Sequence, residues 1–249
     1  MSDHGILMKG EMIRAYLNSS KWMTRRTRGL DDINKNPDNW KFMRFVETIK
    51  RKKTIEDIHQ YAEFQPTMGG IVHIRLPYGW IGDLLWFKET YAVLCQLADP
   101  FCPCETEEER TANHTVEYRA NTGHLYPGDW PEEEARGNDE APKWKSSMYM
   151  PRKYSRISVP VVNVRVERVR DIGTDDILAE GVNSVSFAKG VLSSRPSDPR
   201  WKFIELWDSI NAKRGMGWDV NPWVWVYEFP KFSKLETPSI CSLGFAMNN

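Results

Sequence analysis

The sequence predicts an α+β fold in which short helices flank a mostly antiparallel, barrel-like sheet. Three observations predict it. Short strand-like runs are separated by tight turns at Met68-Gly69-Gly70, Pro77-Tyr78-Gly79 and Gly82-Asp83. Helical stretches are scattered among them without a strand–helix–strand rhythm. The 249 residues, 41% hydrophobic and 27% charged, suffice for one elaborated core. A single domain is expected over 1–229, carrying insertions at about 29–70 and 92–145, with a surface tail at 230–249.

The elements follow in order. Met8, Met12, Ala15 and Tyr16 recur at helical spacing, so Met8 to Asn18 is read as an amphipathic helix that ends at Ser19-Ser20. Lys21 to Arg26 is read as extended and 29–36 as loop. Trp40, Met43, Phe45, Val46 and Ile49, then Ile55, Ile58 and Tyr61, carry a helical period and predict a helical pair. Ile71–Leu76 and Leu84–Phe87 read as strands, and Thr115 to Ala120 as a strand within an irregular region from Tyr91 to Lys143. Ile157 to Val169 gives the clearest strand signal: Val162, Val164 and Val166 alternate with Asn163, Arg165 and Glu167. Pro160 puts its start at an edge or bulge. Thr174 is read as a helix N-cap, followed by Asp175 and Asp176 at the positive end of the dipole, with Gly181 as the stop. Pro199 to Lys213 reads as another helix and Trp223 to Phe229 as the last strand, ended by Pro230.

Charge narrows the function classes. Lys and Arg number 34, as do Asp and Glu, so the net charge is zero, which argues against coating long DNA by charge alone. The distribution is uneven: a basic N-terminal part ends in Lys50-Arg51-Lys52-Lys53, and Glu105 to Glu140 is acidic. Such runs are first of all solvated faces and only second nucleic-acid contacts. No stretch has the apolar length to span a bilayer, and no signal-peptide core opens the chain, so a cytoplasmic protein with reduced cysteines is expected. Walker, Rossmann and His-Glu-x-x-His patterns are absent, and no cofactor is called for. Cys95, Cys102 and Cys104, with His114 and His124 downstream, lack the paired spacing of zinc sites and read as free thiols without a metal. Trp223 and Trp225 share one strand face, where core packing outweighs base stacking.

Two places could carry chemistry. Lys21 and Thr24 sit three residues apart, and a buried Lys can serve as base to a Thr hydroxyl. Glu180 ends a helix, where a carboxylate opposes the dipole; that suits an acid that must hold a proton, the plainer reading being a salt bridge to an Arg.

The ordered segments are Ser20-Lys21-x-x-Thr24-Arg25-Arg26, Gly82 to Tyr91, Tyr149 to Ile157, Val164 to Ile172, Ala179-Glu180-Gly181, Leu206 to Ile210 and Asn221 to Val226. Together they resemble ASCH-domain proteins encoded by tailed phages and prophages. That resemblance implies membership of the PUA-like superfamily, with a small β-barrel and a cleft between barrel and helices that handles a nucleobase, nucleoside or RNA, RNA ahead of DNA. Some small bacterial ASCH proteins remove the acyl group from N4-acetylcytidine. Their motif falls on Lys21, Thr24, Arg26 and Glu180, which implies Lys21 as base, Thr24 as nucleophile, Glu180 as proton donor and Arg26 as a substrate contact. Glu89 and Arg152, inside the resembling segments, are further substrate-binding candidates. Ser19 stands where the small hydrolases carry Gly. Two alternatives remain beside amide hydrolysis: a non-catalytic RNA- or DNA-binding module using the Lys50 run, and a phage assembly or host-interaction protein using the acidic segment around Glu132, Glu133 and Glu134.

Overall fold

The computed structural model describes residues 2–52, 55–95, 114–121, 144–182 and 199–233. They form a mixed α+β fold whose strands pair mostly in antiparallel fashion. The first sheet sets β1 (Asp3–Leu7) parallel to β6 (Leu84–Lys88), with β9 (Ser158–Pro160) antiparallel on the other side of β6. The second has the order β10 (Asn163–Arg168), β11 (Trp223–Glu228), β2 (Met23–Arg26). The third joins β3 (Trp40–Lys52), β4 (Ile55–Pro66) and β5 (Val72–Arg75). β7 (Tyr91–Cys95) and β8 (His114–Tyr118) pair by themselves. Three α-helices are described: α1 (Gly10–Leu17), α2 (Thr174–Ala179) and α3 (Pro199–Asn211).

Trp40 to Tyr61 is not a helical pair. It belongs to a long antiparallel hairpin, β3–β4, and the mistaken period has a physical source. A bulge between Phe42 and Arg44 adds one residue to β3, so Trp40, Phe42 and Phe45 all pack against the core although their spacings are two and three. A strand whose alternation slips by one residue imitates the helical repeat.

The run from Ile157 to Val169 is likewise two strands. Val161 N donates to Asp83 O at 2.8 Å, while Val162 N donates to Glu228 O at 2.8 Å. Between these adjacent residues the chain passes from the sheet of β6 to that of β11. Pro160, which has no N–H to give, closes the β6 ladder opposite Leu84. At α2 the cap position is Gly173, not Thr174, which is the first helical residue.

β11 stands between two cores. Trp225 and Tyr227 enter one, with Tyr16, Phe64, Phe87 and Phe229. Val224 and Val226 enter the other, with Met23, Ile177, Phe203 and Trp207. Both indole N–H groups of the strand are satisfied by backbone, Trp223 Nε1 on Pro37 O at 3.0 Å and Trp225 Nε1 on Arg28 O at 2.9 Å, as core tryptophans require. At the start of the expected tail, Phe232 packs on the Tyr16 ring, and 234–249 lie outside the described residues. Among the described residues no helix is long and apolar enough to cross a membrane.

Candidate functional site

The site is assembled where α1 ends, β2 begins and α2 stops. After α1 the backbone turns left-handed at Ser19, with φ 64°. Ser20 N and Lys21 N then both donate to Ala15 O, at 2.9 and 3.0 Å. This fold-back aims Lys21 inward instead of into solvent. Glu180 caps α2, and Gly181 follows at φ 79°. A Cβ on Gly181 would lie 2.9 Å from the Cβ atoms of both Ala15 and Lys21, so only glycine lets the three segments meet. Trp22 N donates to Ala179 O at 2.9 Å and locks the junction.

Lys21 is 1% exposed, and its ammonium donates to Glu180 Oε2 at 2.9 Å, to Glu180 O at 2.9 Å and to Met23 O at 2.7 Å. Burial pushes its pKa below the ordinary lysine value, and the Glu180 carboxylate restores part of the loss. Glu180 Oε1 also accepts from Arg25 Nη1 at 3.3 Å. The expected salt bridge of Glu180 to an Arg is therefore present, alongside its contact with Lys21. Arg25 continues outward to Asp176 at 2.6 Å and Glu167 at 3.1 Å. Burial works against the Arg25 charge, but Glu180, Asp176 and Glu167 outweigh it and hold its pKa above the ordinary arginine value.

Lys21, Thr24, Arg26 and Glu180 all border one cavity of about 660 Å³. Thr24 is 4% exposed, and its hydroxyl has no hydrogen-bond partner among the described residues. Arg26 Nη2 donates to Leu7 O at 2.7 Å, whereas its buried Nε has no hydrogen-bond partner and no carboxylate pairs with its guanidinium among the described residues. Burial lowers the Arg26 pKa, yet a guanidinium stays charged in a protein. The wall thus offers a buried amine–carboxylate pair, a hydroxyl and a cation that retains donor capacity. Such a set suits acyl chemistry on a small polar molecule.

Glu89 and Arg152 do not line this cavity. Glu89 is buried and accepts from Arg156 Nε at 2.9 Å and from Arg156 Nη2 at 3.0 Å. Burial raises its pKa, and Arg156 opposes the rise. Arg152 is exposed and bonds Ser158 Oγ at 2.6 Å and Asp3 at 3.3 Å. Among the further lining residues that sequence reasoning passed over are Arg25 and Tyr78. Arg25 lies between Thr24 and Arg26 in a four-residue strand, so the same motif could have pointed to it. Tyr78, in a turn, gave no signal.

Of the cysteine and histidine group, Cys95 stands opposite His114 in the β7–β8 register, while Cys102, Cys104 and His124 lie outside the described residues. So do Glu132, Glu133 and Glu134. Comparison with protein-family models, with curated proteins and with solved structures finds no match to this chain.

Proposed function

We propose that this chain is an ASCH-type protein with a PUA-like barrel, and that its cavity binds a cytosine nucleoside and hydrolyses an N4-acyl amide. The observation that carries the reading is the 2.9 Å contact of Lys21 with Glu180 on the wall of a cavity that Thr24 and Arg26 also line. Ser19 adds support: its left-handed backbone is the conformation that a glycine at that position of the small hydrolases would supply freely.

In the resting pair all three Lys21 donors are engaged, so the amine cannot act as a base. Transfer of one proton from Lys21 to Glu180 removes both charges from a buried site and creates a free amine beside a carboxylic acid. The amine then takes the Thr24 hydroxyl proton as the oxygen attacks the acyl carbonyl. Glu180 gives its proton to N4 as the C–N bond breaks, releasing cytidine and leaving the acyl group as an ester on Thr24. With Lys21 again an ammonium and Glu180 a carboxylate, the pair repeats its internal proton transfer. The free amine takes a proton from water as the water oxygen attacks the ester. Glu180 protonates the Thr24 oxygen as the C–O bond breaks, which releases the acyl group as a carboxylic acid and restores the hydroxyl. Arg26 holds a polar edge of the substrate.

The test is turnover of N4-acetylcytidine, followed as cytidine release, for wild type, Lys21→Ala and Thr24→Ala. Each variant is expected to lose roughly a hundredfold or more. A loss under tenfold for Lys21→Ala, or no release by wild type, overturns the reading.

A further inference from the structure

Resting on that reading, we infer that the Tyr78 hydroxyl is the hydrogen-bond donor that receives the acyl oxygen when Thr24 attacks, a catalytic residue supplied by the turn Pro77-Tyr78-Gly79. The register of β2 against β11 sets Thr24 across from Tyr227 and Arg26 across from Trp225. Residues directly opposite one another in an antiparallel pair project to the same face. Thr24, Arg26 and Tyr227 therefore share one face of this sheet. The Tyr78 ring packs edge-on against Tyr227, with centroids 5.6 Å apart and planes at 87°. Tyr78 thus stands over the face that carries Thr24, and both line the same cavity.

Tyr78 is 7% exposed, and its hydroxyl has no hydrogen-bond partner among the described residues. A buried tyrosine ordinarily gives its O–H to a neighbour, as Tyr227 does to Gly79 O at 3.4 Å. A buried donor left open on a cavity wall is available to a ligand. An ionised Tyr78 would help hold the Arg26 charge, which puts the phenol oxygen near that guanidinium. The Arg28 guanidinium lies 5.7 Å from the Tyr78 ring centroid. Two cations beside a phenol draw electron density from its oxygen and make the O–H a stronger donor.

The turn that carries Tyr78 is fixed. Gly79 is left-handed, with φ 78°, and a Cβ there would come within 2.7 Å of the His4 ring and 2.5 Å of Asp83 Oδ2. Asp83 Oδ2 accepts from Trp80 N at 2.9 Å, and Asp83 N donates to Trp80 O at 3.0 Å. A donor already in place costs no reorganisation at the moment of reaction. As the Thr24 oxygen bonds the acyl carbon, the C=O electron pair moves onto the acyl oxygen. Tyr78 donates a hydrogen bond to that oxygen and keeps its proton. The pair returns when the bond to N4 breaks, and the same donor serves the attack of water on the ester.

The experiment compares N4-acetylcytidine with its thioacetyl counterpart, followed as cytidine release, in full-length wild type and Tyr78→Phe. Phenylalanine keeps the ring against Tyr227 and removes only the oxygen. Turnover of N4-acetylcytidine is expected to fall roughly a hundredfold, with KM within about twofold of wild type. Sulfur accepts hydrogen bonds poorly, so the preference of wild type for the oxygen substrate should shrink about tenfold in the variant. That ratio is internal to each protein and reads the contact whatever the stability of the variant. A fall in turnover of less than about tenfold overturns the assignment, as does a loss carried by KM alone or an oxygen-to-sulfur preference that the variant keeps in full. Cytidine release that Lys21→Ala and Thr24→Ala abolish but Tyr78→Phe leaves intact removes Tyr78 alone and keeps the hydrolase. No release by wild type removes both.

Discussion

Lys21 has a role in the cavity that costs the fold something. Its pKa is lowered by burial, so between that lowered value and 10.5 the unfolded chain binds more protons than the folded one. Stability therefore rises with pH across that window. Lys21→Met should abolish the rise, read from urea midpoints measured from neutrality up to pH 10.5. The same variant leaves Glu180 paired with Arg25 but takes the Lys21 donor from Glu180 Oε2, Glu180 O and Met23 O, so its stability at neutral pH should fall, while cytidine release falls roughly a hundredfold or more. A rise with pH that persists in Lys21→Met would remove Lys21 as its source. At this scale the sequence was informative where a motif was short: Lys21, Thr24 and Arg26 lie within six residues and fall on one cavity. It was uninformative for Glu89, whose side chain is claimed by Arg156, 67 residues away.

The elements position this chemistry through their ends. Gly181 lets α2 stop against Lys21, and Gly181→Ala adds a Cβ at 2.9 Å from two neighbours on a left-handed backbone. It should destabilise by about 1–3 kcal/mol in urea titration. It should also lower turnover, because relief comes from moving Lys21 or Ala15. Wild-type stability in Gly181→Ala would show that the junction is loose. The base of the β3–β4 hairpin is held by Phe64, fully buried and 5.8 and 5.6 Å from the ring centroids of Phe42 and Trp223. Phe64→Ala should cost about 3–5 kcal/mol. Elements with unbroken alternation, such as β6 and β11, were readable from their residues; β3 was not, because its bulge changes the phase in mid-strand.

On the scale of the whole molecule, β11 couples two cores by sending Trp225 and Tyr227 one way and Val224 and Val226 the other. Trp225→Ala should therefore cost about 3–5 kcal/mol, and tryptophan fluorescence and far-UV circular dichroism should still report one shared midpoint. Separated midpoints would mean that the cores unfold independently. The sequence by itself determined the α+β class, the turns, most strand positions and the order of the motifs, because each rests on neighbours within a few residues. Only the tertiary structure decided that the run after Ile157 divides between two sheets, that Glu180 meets both Lys21 and Arg25, and that Arg152 stays away from the cavity. Those outcomes depend on contacts between residues as much as 159 positions apart, and local pattern carries no record of the path that brings them together.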